Sequence, residues 1–203
     1  MRSEKLRVAS GVSQLDNLLG GLHIGDNVIW YDNSGSLASV YCLNFIQASQ
    51  AQNRPLIYVS FDRSPKNLLE KLGVLAQNNQ LIILDCFTYG KGSGSKVFLN
   101  FYKNKNSKWP CQIIRIDEPR QTDKVMDALY GIHGTLAGEV RFVFESLTGM
   151  QELWGGRAAS YQFLFSLLPP PLRIKHRCVL DYRKAGSLRQ TQGPDQSNRP
   201  GCY

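Results

Sequence analysis

Residues 32–39 read Asp32, Asn33, Ser34, Gly35, Ser36, Leu37, Ala38 and Ser39, and they follow the apolar run Val28–Tyr31. A short glycine-containing loop between an apolar run and a helix-like segment is where a nucleotide-binding α/β domain cradles phosphate. That loop has the form GxxxxGK[ST]: its glycines let backbone N–H groups curl around phosphate, and its lysine supplies a cation. Here the first glycine position holds Asp32, the second holds Leu37 and the lysine position holds Ala38. Gly35 and the Ser39 hydroxyl remain. A carboxylate stands where phosphate would lie, with no cation to answer it. The loop reads as the vestige of a phosphate site.

Other chemistry-bearing residues form weaker patterns. Gly90 to Lys96 reads GKGSGSK, which fits neither GxxxxGK[ST] nor GxGxxG, since Ser95 takes the last glycine position. It reads as a flexible surface loop. His23, His133 and His176 have no ligand spacing. Cys42, Cys86, Cys111, Cys178 and Cys202 contain no CxxC pair and read as thiols of a reducing compartment. Trp30 and Tyr31, just before the loop, read as core.

The elements that must position these residues alternate strand and helix. Arg7–Ser10 reads as extended. Ser13 opens a helix with Asp16 as an approximate capping box, and Gly20-Gly21 ends it. The strand Asn27–Tyr31 precedes the loop. A helix from about Leu37 to Ala51 follows it and is expected to bury Val40, Tyr41, Phe45 and Ala48. Leu56–Phe61 and Leu81–Phe87 are continuous apolar runs, as in strands covered on both faces. Between them Ser64 caps a helix with Pro65 at its first position, burying Leu68, Leu69 and Leu72. Cys111–Ile116 and Val140–Phe144 are further strands. Helices are expected from Pro119 to His133 and from Thr148 to Leu168. This alternation predicts a mainly parallel sheet between helical layers.

The 203 residues suffice for one α/β domain, with 42% hydrophobic residues. No apolar run approaches the ~18 residues of a membrane span, and MRSEKLRV lacks an apolar signal core. A cytoplasmic location is expected. The net charge of +8 is unevenly placed: residues 1–168 carry 17 basic and 14 acidic side chains, and residues 169–203 carry seven and two. Most of the excess lies in the last segment, which argues against a nucleic-acid surface on the domain.

Several blocks, in order, resemble RecA-like ATPases of the KaiC-like (RadA/Rad55-like) branch. SGVSQLDNLLGGLHIGDNVIW (10–30) is similar to that family's opening. LIYVSFDRSPKNLLEKLG (56–73) resembles its strand–helix unit after the phosphate loop, and LIILDCF (81–87) and VRFVFESLTGM (140–150) resemble later strands. The resemblance covers residues 7–168. It implies a RecA-like, three-layer α/β/α P-loop-type domain that uses ATP and Mg²⁺. It places the family's lysine at Ala38 and its paired catalytic glutamates at Asp62 and Arg63. The aspartate that organises Mg²⁺ falls at Glu145, with Ser39 as the hydroxyl on the metal. Asp62 and Glu145 are the vestigial catalytic candidates, and Ser39 and Glu145 the candidate metal positions. In the resembling family the loop near Lys91 and Lys96 is variable and sometimes binds partners or nucleic acid. With the lysine lost and one acid reversed in charge, little hydrolysis is expected. The expected role is that of a non-hydrolysing regulatory or scaffold protein, acting through protein partners or self-association. The alternatives are a weak ATPase that clamps phosphate through Arg63 and a DNA-associated RecA-like protein. ATP and Mg²⁺ are expected only if nucleotide binding survives.

From Pro169 the sequence loses its periodicity. Residues 169–203 read as an irregular basic tail without a buried strand, so the sheet is expected to lack its last strands and to leave apolar surface uncovered. Codons compatible with this tail, read one nucleotide later, spell LRLYELNTVAYWIIEKQAHS and continue to QVVI, two strand-like runs. The tail is accordingly read as an out-of-frame translation.

Overall fold

In the computed structural model, residues 7–23, 26–32, 37–103, 111–166 and 176–182 are described. The elements run β1 (Arg7–Val8), α1 (Ser13–Leu19), β2 (Leu22–His23), β3 (Asp26–Asp32), α2 (Ala38–Ala51), β4 (Leu56–Ser60), α3 (Pro65–Leu72), β5 (Leu81–Asp85), α4 (Lys96–Lys103), β6 (Gln112–Arg115), α5 (Thr122–Thr135), β7 (Arg141–Glu145), α6 (Leu147–Leu153), α7 (Arg157–Ser166) and β8 (His176–Tyr182). β1 and β2 form a small antiparallel pair. The other six strands form one parallel sheet in the order β3-β8-β7-β4-β5-β6.

β4, β5 and β7 are buried at every residue, as the apolar runs require of strands covered on both faces. One face packs Ile57, Val59, Phe142 and Phe144 against α5, α6 and α7. The other packs Tyr58, Ile83 and Val143 against α2 and α3. The result is the expected three-layer, RecA-like α/β/α domain. Arg141, fully buried, ties α2 to β7 by donating to Ser49 Oγ at 3.1 Å while its Nε reaches Glu139 Oε1 at 3.1 Å. Among the described residues no helix is long and apolar enough to cross a membrane.

Several expectations need correction. No Ser13–Asp16 capping box forms; Val12 is the N-cap, and Asp16 Oδ1 accepts the Ser10 N–H at 2.8 Å. On α2, Val40 is exposed while Cys42, Ile46 and Ser49 point inward with Phe45, because the helix packs on β8, β3 and the short turn of helix at Gly73–Ala76. The single helix expected from Thr148 to Leu168 is two helices, broken where Gly155 and Gly156 take φ of 75° and 148°.

The largest correction concerns the tail. Residues 176–182 are a strand, β8, seated between β3 and β7 and paired with both. Its sequence, HRCVLDY, has only Cys178, Val179 and Leu180 as an apolar run, far from the continuous pattern of an interior parallel strand. Backbone pairing on two sides holds it there, and that pairing leaves no side-chain signature. β8 supplies one of the strands on whose absence the out-of-frame reading was built. Residues 167–175 and 183–203 lie outside the described residues.

Candidate functional site

β4 and β7 are neighbours in register, Ser60 opposite Glu145, and β5 continues the row with Asp85 opposite Ser60. The chain runs from β4 to β5 and β6 on one side and returns to β7 on the other. Their carboxyl ends therefore open at a topological switch point, where α/β sheets place ligand sites. Asp62 and Arg63 leave β4 there, and Glu145 and Ser146 leave β7.

Glu145 is fully buried, and its carboxylate is saturated with donors. Oε1 accepts from Arg63 Nε at 2.8 Å and from Lys71 Nζ at 3.0 Å; Oε2 accepts from the Tyr58 hydroxyl at 2.8 Å. A buried carboxylate demands such compensation. Ser64 supplies the geometry for two of these contacts: it caps α3, accepting the Asn67 N–H, so Arg63 precedes the helix and Lys71 sits in its last turn. Both cations thus come from one strand–helix unit.

Asp62 turns the other way. Its carboxylate accepts from Lys91 Nζ and from the Ser146 hydroxyl, and Lys91 also reaches Glu152 Oε2 at 2.6 Å. Burial pulls the Lys91 pKa down, but hydrogen bonds and attraction to Asp62 and Glu152 outweigh it, and the net shift is upward. Ser146 caps α6 by accepting the Gly149 N–H at 2.9 Å. Gly149 is required: a Cβ there would lie 2.7 Å from Asp62 Oδ1.

Asp85 completes the row. It is fully buried and accepts the backbone N–H groups of Phe87 and Thr88 at 2.9 and 3.0 Å, and the Tyr102 hydroxyl at 2.6 Å. Burial, then the Asp85 charge, push the Tyr102 hydroxyl and the Cys86 thiol well above their ordinary ranges.

The segment 32–39, read from the sequence as a vestigial phosphate loop, is described only in part. Asn33, Ser34, Gly35 and Ser36 lie outside the described residues, as does the Asp32 side chain. Leu37 is the exposed N-cap of α2 and makes no side-chain cap bond; Ser39 is half-buried. Ala38 is 3% exposed and packs into the α2/α3 core, so the lysine position faces protein. β8 separates β3, the strand leading to the loop, from β7 and Glu145.

The segment expected as a flexible loop at 90–96 is a folded turn. The N–H groups of Gly92, Ser93, Gly94 and Ser95 donate to Phe87, Gly90, Thr88 and Gly92 carbonyls, so none of the four is turned outward as an anion cradle. Of its lysines, Lys91 joins the site and Lys96 is an exposed residue at the start of α4. Among the described residues no group of three His, Cys, Asp or Glu could hold a metal ion. Glu145 is poorly suited to metal ligation as well, because three donors, two of them cationic, already occupy its oxygens.

Sequence reasoning missed Tyr58, Lys71, Ser146 and Glu152. Two signals existed. A tyrosine inside a strand buried on both faces needs a partner for its hydroxyl. Lys71 stands three residues after the buried Leu68, on the inward side of α3.

No family model matches the sequence, and no curated protein matches it. Among solved structures, the KaiC-like protein PH0186 from the hyperthermophilic archaeon Pyrococcus horikoshii OT3 superposes with a TM-score of 0.56 over 88% of this chain and 71% of that chain, at 14% sequence identity. This chain has a KaiC-like fold. At that identity the likeness extends to architecture alone.

Proposed function

We propose that the chain is a KaiC-like-fold protein that does not hydrolyse ATP and acts as a regulatory or scaffold protein through protein contacts. The observation that carries this reading is the state of Glu145. It occupies the position where the resembling ATPases organise Mg²⁺, and here Arg63 and Lys71 take the place of a cation. Hydrolysis needs a metal bridging phosphates, a positioned water and charge neutralisation at the transferred group. Glu145 is committed to two cations, Asp62 to Lys91 and Ser146, and Ala38 to the core. Arg63, the one candidate for an unconventional phosphate clamp, is engaged with Glu145.

Titration with a fluorescent ATP analogue and Mg²⁺ tests this. No saturable binding is expected up to about 100 µM. Tighter binding that Arg63→Ala abolishes would overturn the proposal in favour of a weak ATPase. Binding to single-stranded DNA that falls steeply with added salt would overturn it in favour of a nucleic-acid role.

A further inference from the structure

One flank of the sheet is apolar and uncovered among the described residues. β3 is the outer strand on that side, seven residues long and paired with β8 along one edge only. The opposite outer strand, β6, is four residues long, with Gln112 and Arg115 at its ends, a short and polar edge of the kind that resists pairing. β3 is longer and, although it begins and ends in Asp26 and Asp32, carries Val28, Ile29 and Trp30 at its centre, with Ile29 41% exposed. Beside it Leu18 is 82% exposed and Leu19 52%, and α1 buries none of its residues. Next to them lies a hollow of about 140 Å³ whose lining includes Leu15, Leu19, Leu22, Val28, Trp30 and Tyr41. Cavities of about 150 Å³ accept a benzene ring, so this one has room for a single leucine or aromatic side chain.

We propose that this flank docks a second copy of the chain, with Leu18 of each copy entering the hollow of the other and the two β3 edges side by side. A projecting leucine and a leucine-sized hollow on one face make that face self-complementary, which is the condition for a two-fold interface. The chain's own continuation is a poor cover. It starts in the right place, since β8 ends with Tyr182 beside Asp32 of β3. Yet residues 183–203, RKAGSLRQTQGPDQSNRPGCY, hold no alternating apolar run to match the apolar stretch 28–31 of β3. A second copy brings both the strand and the leucines. Asp26, at the start of β3, does not bring a bare carboxylate to such an interface: it accepts the His23 N–H at 2.7 Å and lies 3.5 Å from His23 Nδ1. The face does not depend on nucleotide chemistry.

Sedimentation of the full chain from about 1 to about 100 µM tests the proposal through mass action. A monomer–dimer equilibrium is expected. Because apolar contacts drive it, it should persist when salt is raised from about 0.15 to about 0.5 M. Leu18→Glu and Ile29→Lys should each weaken it at least about tenfold, the second because a lysine blocks edge pairing, while the melting temperature of the dilute monomer at about 1 µM stays unchanged. Hydrogen exchange at residues 26–32 should slow as concentration rises. A chain that stays monomeric throughout, a dimer indifferent to both substitutions, or β3 amides equally protected at both ends of the concentration range would overturn the proposal. The last outcome would mean that the chain covers its own edge.

Discussion

Lys71→Met removes one of the two cations from Glu145 while keeping the aliphatic stem. Glu145 has no exposed side-chain surface, and Lys71 is 17% exposed at 3.0 Å from it. Removing one partner of a fully buried ion pair costs about 3–5 kcal/mol. Here Arg63 remains at 2.8 Å, and the Lys71 stem reaches solvent, so the cost falls below that range, at about 2 kcal/mol. Arg63 is 39% exposed, and water screens its share. Glu145→Gln leaves two cations facing each other across a neutral amide and is expected to cost about 3 kcal/mol. If the charges act on each other, the double variant should cost about 3 kcal/mol instead of the additive 5, a coupling of about 2 kcal/mol. For a domain of this size Lys71→Met should lower the melting temperature by about 4–8 °C. Urea unfolding followed by far-ultraviolet circular dichroism gives all four corners of the cycle. The coupling should survive about 0.5 M salt, because a buried pair is poorly screened. A coupling under about 0.5 kcal/mol would refute the claim that these cations neutralise Glu145.

Three further outcomes follow from the same geometry. Ala38→Lys should raise affinity for ATP by no more than about threefold and should lower stability, because position 38 is core and Asp32 and Leu37 still replace the glycines; a gain of about tenfold would show an intact cradle. Gly149→Ala should destabilise by about 1–3 kcal/mol despite alanine's better helix propensity, since its Cβ would press on the Asp62 carboxylate held by Lys91 and Ser146; a stabilised variant in thermal melts would contradict that contact. Burial lowers the His133 pKa, so the unfolded chain binds the proton more tightly; stability should be full above the ordinary histidine pKa and decline as pH falls through it toward the lower folded value, and His133→Leu should flatten that slope in urea titrations between about pH 7 and 5.

The layers were legible because burial on two faces writes itself into sequence: Leu56–Ser60, Leu81–Asp85 and Arg141–Glu145 read as interior strands and are. The Ser64–Pro65 start of α3 was legible for an equally local reason, since the cap bond spans three residues. What failed was non-local. β8 has its place through pairing with strands more than 30 and more than 140 residues away in the chain, and three apolar residues do not announce that. Asp62 and Glu145 could be singled out as strand-end carboxylates. Of their partners, Lys71 left only the local trace of its place beside Leu68 on α3, and Lys91, which also meets Glu152, left none, because it arrives from a turn almost thirty residues beyond Asp62.

The charges at the carboxyl end of the sheet explain one another. Asp62, Glu145 and Glu152 supply three carboxylates, and Arg63, Lys71 and Lys91 supply three cations, each in contact with at least one of them. In the resembling ATPases position 63 holds a second acid, which implies a surplus of negative charge for Mg²⁺ to satisfy. Arginine there removes one negative charge and adds a positive one. These six charges then sum to zero with no metal bound, while Asp85 in the same row is answered by two backbone N–H groups and the Tyr102 hydroxyl. A divalent cation entering the cluster would have to pull Glu145 away from two N–H donors in a buried place and would set its own charge beside those of Arg63 and Lys71. That penalty falls on metal binding itself, before any phosphate arrives. Restoring the loop lysine therefore leaves the larger obstacle untouched. On the proposed reading, then, Arg63 weighs more heavily against phosphoryl chemistry than Ala38 does.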